Sequence, residues 1–249
     1  MLSVAEVEQG RKLRIGDHNH TSSPPAVSPG RATTRHTLFP PIRLRAGPSR
    51  PGVHIDDYTV YEHQPECLSR PTNRRQAAIP LSAAGRDMVC GWRVPPDLAA
   101  YDWVSSPLSR ARETAVLLSG REPAIEPRLK EMSYGEWEGL RLPDLRAELG
   151  DEMVENEARG LDFRPPGGES PGELQDRLRP WLAEVAARGR PTLAVAHHGV
   201  LRALFSLATG WTMADRPPEK LQWSAVHYFK LDDNGELSAE RLNVSLEKP

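Results

Sequence analysis

The stretch AVAHHGVL at residues 194–201 decides the fold class, because an apolar run ends there in two histidines and a glycine. Residues 192–196 are short, apolar and partly β-branched, which predicts a strand. Residues 200–207 carry apolar side chains at helical intervals. His197 and His198 are therefore predicted to lie at a strand-to-helix junction. In open α/β sheets this is where ligands bind, because the amino ends of helices present unpaired N–H groups to anions.

The same alternation of strand and helix occurs elsewhere in the chain. Residues 103–105 predict a strand, and the helix after it is expected to use Ser106 as its N-cap and Pro107 as its first residue. Residues 170–189 begin with the spacing of a capping box and end at a glycine, which predicts a second helix. Strands alternating with helices of this length indicate βαβ units and an α/β domain with a largely parallel sheet.

The chain has two parts of different composition. Residues 1–56 are rich in Pro, Ser, Thr and Arg and show little hydrophobic periodicity, so we predict a disordered extension there. Residues 57–249 are predicted to form one catalytic domain.

Composition and charge argue against several classes of protein. Residues 57–249 contain 24 Lys and Arg against 30 Asp and Glu, which gives no reason to expect a nucleic-acid partner. The two cysteines, Cys67 and Cys90, provide neither a disulfide framework nor a metal cluster. No stretch approaches the roughly 18 apolar residues of a membrane span. We therefore expect a cytoplasmic protein without membrane partner, metal or cofactor, and its oligomeric state stays open.

Four sequence blocks, taken together, resemble the histidine phosphatase superfamily, which has the phosphoglycerate mutase-like fold. They are SSPLSRARETA at 105–115, LKEMSYGEWEG at 129–139, PGGES at 166–170 and VAHHG at 195–199. The blocks follow the order of the family. The resemblance implies a three-layer α/β fold, with a mostly parallel sheet flanked by helices, and phosphoryl transfer through a phosphohistidine without a metal ion.

The resemblance also implies roles for individual residues. Arg110 would clamp the phosphoryl oxygens, since a guanidinium binds them in a bidentate manner. His197 would be a second catalytic histidine, and His198 and Gly199 would complete the phosphate-binding pocket. Glu131 matches the general acid, which protonates the leaving alkoxide and later acts as a base toward water.

The chain departs from the family at its first motif. There the family has Arg-His-Gly after its first strand, and the histidine accepts the phosphoryl group. The segment TVYEHQPECLS at residues 59–69 resembles that region, with the arginine either replaced by Glu62 or deleted, and with Gln64 after the histidine where the family has glycine. The resemblance makes His63 the nucleophile candidate. The literal Arg35-His36 pair is a weaker candidate, because no apolar strand precedes it.

Three functions are compatible with this pattern. We favour a phosphomonoesterase acting on a small phosphate ester, because only 27 residues separate Gly139 from Gly167 and mutases of the family usually carry a longer insertion. A phosphoglycerate mutase is the nearest alternative. The third is a catalytically impaired phospholigand-binding or interaction protein, since Glu62 places an anion where the family has a cation. Residues 141–164, in the region that sets specificity in this fold, contain few aromatics and are expected to favour a small polar ester.

Overall fold

The computed structural model describes residues 58–60 and 79–246 of the 249-residue chain. The predicted disordered extension, residues 1–56, lies outside the described residues. So do the nucleophile candidate His63 and its neighbours Glu62 and Gln64.

The described strands form one six-stranded sheet in the order β3-β2-β4-β1-β5-β6. The strands are β1 (Tyr58–Val60), β2 (Asp102–Ser105), β3 (Ala124–Ile125), β4 (Thr192–Ala196), β5 (Ala225–Leu231) and β6 (Leu237–Ser245). The first four in that order run parallel, whereas β5 and β6 are antiparallel and close one side of the sheet. The predicted α/β class with a mostly parallel sheet is confirmed.

Six α-helices accompany the sheet in the described part of the chain. They are α1 (Ala83–Gly91), α2 (Ser109–Ser119), α3 (Leu142–Leu149), α4 (Asp151–Glu157), α5 (Pro171–Arg188) and α6 (His198–Thr209). Helix α5 begins with the predicted capping box, in which Ser170 Oγ accepts the Glu173 N–H and the Glu173 carboxylate accepts the Ser170 N–H. It ends at Gly189, whose φ of 63° suits a residue without a side chain.

The predicted start of α2 is wrong by two residues. The helix begins at Ser109, and Leu108 rather than Ser106 is its N-cap. Ser106 stays with the sheet, because its N–H donates to the Val195 carbonyl at 2.9 Å. Its hydroxyl oxygen accepts the Leu108 N–H at 3.3 Å and lies 2.6 Å from His197 Nε2. Because Ser106 makes these contacts with Val195 and His197, helix α2 begins only at Ser109.

Strand β4 separates two apolar cores, one on each face of the sheet. Leu193 and Val195 pack into the cluster that contains Ala111 of α2, together with residues of α1. Ala194 and Ala196 point to the opposite face and pack among the apolar side chains of α5 and α6. Because successive strand residues point to opposite faces, a fully buried strand with helices on both sides gives the predicted three layers. None of the described helices is both long and apolar enough to cross a membrane.

His227 of β5 is a buried histidine that is held neutral. Its Nε2 lies 3.0 Å from the Gln222 carbonyl oxygen, which can only accept, so Nε2 carries the proton. Its Nδ1 accepts the Asn243 N–H at 3.3 Å. Burial lowers the pKa of His227 to about 4.

We expect His227 to make the fold sensitive to acid. Its folded pKa of about 4 lies below the value of 6.5 for an exposed histidine, so the unfolded chain binds the proton more readily. The contribution of His227 to the free energy of unfolding is fully present above about pH 6.5. It falls by about 3 kcal/mol as the pH drops toward 4. Urea unfolding between pH 4 and 7 measures this loss. His227→Gln removes the titrating group, and an unchanged pH dependence in that variant would contradict the assignment.

Candidate active site

Arg110 provides a buried cation at the carboxyl end of β2. It is the second residue of α2 and is only 4% exposed. Its backbone carbonyl accepts the Thr114 hydroxyl at 2.8 Å, so the first turn of the helix is fixed. The amino end of a helix adds positive potential at the same place. This arrangement suits an anionic ligand.

His197 lies at the carboxyl end of the neighbouring strand β4. It is the N-cap of α6, is fully buried, and has its Nε2 2.6 Å from Ser106 Oγ. Strands β2 and β4 are adjacent, with Ser105 paired to Val195. The two strand ends, each followed by the amino end of a helix, therefore meet at one edge of the sheet.

Glu131 approaches this edge from a loop after the short 3₁₀ helix Pro127–Leu129. Its carboxylate is fully buried and accepts N–H groups from Met132 at 2.8 Å and from Gly199 at 3.1 and 3.2 Å. A glutamate in a loop rich in carboxylates is ordinarily solvated, but this one is held at the first turn of α6. A side chain at position 199 would place its Cβ 2.4 Å from Glu131 Oε1. Only glycine leaves room for the carboxylate.

Arg177 of α5 fixes the loop that carries Glu131. Its Nη1 donates to the backbone carbonyls of Arg128 and Lys130, the second at 3.0 Å. Its Nε and Nη2 bind the two oxygens of Glu169, each at 2.8 Å. The residue immediately before Glu131 is thereby tied to the core helix.

A second ion cluster fastens the same loop to α5. Arg128 binds Glu126 at 2.7 Å and Glu184 of α5 at 2.6 Å. The hydrogen bond from Arg128 holds the pKa of Glu184 below its usual range.

Replacement of Arg177 by Leu is expected to destabilise the protein by about 2–4 kcal/mol. The substitution leaves two backbone carbonyls and the Glu169 carboxylate without the donor that they share. The free-energy cost of such unsatisfied groups is larger than the contribution of an exposed ion pair. Urea unfolding is the measurement. Arg179→Leu on the same helix is the matched control, since Arg179 is 60% exposed with a loose 3.7 Å ion pair. Equal losses in both variants would contradict the role assigned to Arg177.

A cavity of about 330 Å³ opens next to these residues. His198 and Gly199 line one side of it, and the His198 ring packs edge-on against Trp223 with ring centroids 4.0 Å apart. Arg202 also lines the cavity. Its guanidinium lies 4.7 Å from the centre of the Trp211 ring. Arg112 pairs with Glu122 at the surface.

The structure brings together Arg110, Glu131 and His197 on neighbouring elements at one edge of the sheet. His63 lies outside the described residues, so its predicted position stays a prediction. Within residues 58–60 and 79–246, no cluster of three or more His, Cys, Asp or Glu could hold a metal ion.

Three kinds of residue were missed in the sequence analysis. Ser106 was interpreted as a helix cap, although its position in the first recognised block was a signal of a role beside His197. Arg177 has no local signal, because its partners lie 8 to 49 residues away in the chain. Tyr134 and Phe163 line the cavity from segments whose path the sequence does not define.

Comparison with known proteins agrees with this architecture. The profile of the histidine phosphatase superfamily (branch 1) matches residues 70–245, and so begins beyond His63. A 2,3-bisphosphoglycerate-dependent phosphoglycerate mutase of Azorhizobium caulinodans is 36% identical over 147 residues, which are 55% of this chain and 71% of the relative. A phosphoglycerate mutase of Schizosaccharomyces pombe is 30% identical over 55% of this chain and 70% of its own length.

A solved structure also shares this fold. The complex of a mycobacterial glucosyl-3-phosphoglycerate phosphatase with inorganic phosphate superposes with a TM-score of 0.60 and 26% identity, covering 72% of this chain and 95% of that one. The relatives thus include both mutases and phosphatases. With the profile matched over most of the chain and the fold shared, the protein belongs to the histidine phosphatase superfamily.

Proposed function

We propose that the protein is a metal-independent phosphomonoesterase that works through a phosphohistidine. One observation carries the proposal: a buried guanidinium, a buried imidazole and a buried carboxylate, Arg110, His197 and Glu131, lie on adjoining elements at the carboxyl edge of the parallel strands. A phosphate dianion accepts a nucleophile only where fixed cations and N–H donors offset its charge.

His63 is the nucleophile in this proposal, and the sheet register supports it. Val60, the last residue of β1, pairs with Ala196, the residue before His197. Three further residues of chain reach at most about 10 Å. The imidazole of His63 can therefore reach the edge of the sheet at which His197 lies.

The reaction has two steps. An imidazole nitrogen of His63 bonds to phosphorus while the P–O ester bond breaks, and the proton of Glu131 goes to the leaving alkoxide. Water then attacks the phosphohistidine, gives its proton to Glu131, and releases inorganic phosphate. Arg110 and His197 hold the phosphoryl oxygens during both displacements.

Hydrolysis is preferred over mutase chemistry because the segment between Gly139 and Gly167 is short. In the structure it forms the compact pair α3 and α4, and it borders the cavity rather than forming a larger insertion. Inorganic phosphate released from 3-phosphoglycerate, against 2-phosphoglycerate formed from it, distinguishes the two reactions.

Turnover of 4-nitrophenyl phosphate in the presence of a chelator tests the proposal. We expect the wild-type protein to be active and His63→Ala and His197→Ala to lose the activity. His227→Gln, which changes a histidine on β5, is the matched control and is expected to stay active at pH 7. Equal rates in the wild type, His63→Ala and His197→Ala would eliminate this function.

A catalytically impaired phospholigand-binding protein is the second candidate. Glu62 and Gln64, at the positions where the family has arginine and glycine, favour it. This candidate predicts that the wild type binds inorganic phosphate without turning over esters. It also predicts that the double variant Glu62→Arg, Gln64→Gly gains activity, by a factor on the order of 10² or more for one restored phosphate-binding cation.

A further inference from the structure

The cavity lies beside the residues that hold the Glu131 carboxylate, the proposed general acid. Met132 and Gly199, whose N–H groups bind Glu131, also line the cavity. A general acid must lie within hydrogen-bond reach of the oxygen that it protonates. The neighbouring cavity is a place that could receive the group attached to that oxygen.

Apolar side chains form much of the lining. Met132, Tyr134, Leu142, Phe163 and Met213 all contribute to it. The Phe163 ring packs against two buried aromatic rings. Its centroid lies 6.2 Å from that of Tyr134 and 6.0 Å from that of Trp137. Such a surface gains free energy by removing apolar groups from water.

The charged residues of the lining are largely committed to other contacts. Arg146 and Glu157 bind each other, with Arg146 Nη2 2.7 Å from Glu157 Oε1, so the pair adds no net charge. The Arg202 guanidinium packs over the ring of Trp211. With His198 neutral, the lining therefore keeps a net charge of about +1, from Arg202, and is poorly matched to a leaving group with several charges.

We propose that the cavity binds a predominantly apolar leaving group, and that Leu142 and Phe163 determine this specificity. The inference rests on the proposed phosphomonoesterase function and narrows its substrate class. A volume of about 330 Å³ is that of a small-molecule site. It differs from our expectation of a small polar ester, because Tyr134 and Phe163 converge on the cavity although the segment 141–164 holds few aromatics.

A series of primary alkyl phosphates tests the inference. Ethyl, butyl and hexyl phosphate have leaving groups of similar acidity, so differences among them report contact with the alkyl chain. We expect kcat/KM to rise about fourfold for each added methylene until the cavity is filled, which is the value of about 0.8 kcal/mol per buried methylene. Butyl phosphate is expected to be a better substrate than 3-phosphoglycerate.

Variants locate the effect in the cavity. Leu142→Ala and Phe163→Ala are expected to flatten the rise with chain length, so that kcat/KM falls more for hexyl phosphate than for ethyl phosphate. Leu140→Ala is the matched control: Leu140 is two residues earlier, 46% exposed and not part of the lining. It is expected to keep the full rise.

The outcomes separate this inference from the function on which it rests. If ethyl phosphate is hydrolysed but chain length has no effect, or if 3-phosphoglycerate is preferred, the inference is overturned and the phosphatase stands. If no ester is hydrolysed, the proposed function fails, and calorimetry with ethyl- and hexylphosphonate decides the inference. Tighter binding of the hexyl compound, weakened by Leu142→Ala, supports an apolar cavity, and equal affinities overturn it.

Discussion

Glu131→Gln is expected to lower kcat for an alkyl phosphate by about 10²–10⁴-fold, since it removes the proton that the leaving alkoxide needs. With 2,4-dinitrophenyl phosphate, whose leaving group needs no proton, the first turnover should stay fast. Because the proposed mechanism also uses Glu131 as the base toward water, the phosphohistidine should then accumulate. Rapid-mixing kinetics would show a burst of about one dinitrophenolate per protein, followed by slow turnover.

Glu136→Gln provides the matched control for this experiment. Glu136 is five residues further along, on an exposed part of the same segment. Its replacement is expected to leave both substrates unaffected. If Glu131→Gln slows the first turnover of the two esters by the same factor, Glu131 is not the general acid. A melting temperature near that of the wild type shows that the loop has kept its structure, since Gln retains an oxygen for the Gly199 N–H.

Arg110→Met is expected to lower kcat/KM by about 10³-fold or more, because it removes the cation that matches the charge of the transition state. Methionine fills similar space, and the melting temperature of the variant reports whether the fold is kept. Arg110→Lys keeps the charge but loses the bidentate geometry and is expected to recover only part of the activity. Activity is measured with phenyl phosphate, and phosphate affinity by competitive inhibition.

Arg112→Met separates the site from the rest of α2. Arg112 lies two residues further along the same helix, is 54% exposed, and pairs with Glu122. Its replacement should change neither activity nor phosphate affinity. An Arg110→Met variant that is inhibited by phosphate as strongly as the wild type would show that Arg110 does not contact the phosphoryl group.

The periodic parts of the sequence predicted the fold well. The strand at residues 192–196, the capping box at Ser170 and the glycine at position 189 each depend on neighbours close in the chain, and each is found as expected. The start of α2 was wrong because Ser106 forms contacts across the sheet, with Val195 and His197, that no local pattern encodes. Local signals specify elements, whereas long-range contacts adjust their ends.

The site could be predicted only in part, for a related reason. The histidines at 197 and 198 lie at the predicted strand-to-helix junction, yet their side chains differ: His197 is buried against Ser106, while His198 packs on Trp223 beside the cavity. The burial of Glu131 depends on the absence of a side chain at Gly199, which lies 68 residues away. The character of the cavity depends on how α3 and α4 fold over it.

The complete burial of the Glu131 carboxyl has a consequence for how, in the proposed mechanism, this group would regain its proton between turnovers. A carboxyl with no exposed surface cannot exchange hydrogen ions with bulk buffer directly. In the proposed cycle the attacking water gives its proton to the Glu131 carboxylate. Each turnover therefore returns Glu131 to its protonated form. Steady-state rates at fixed pH should then be indifferent to the concentration of the buffer acid, and the solvent's part is confined to delivering one molecule of water.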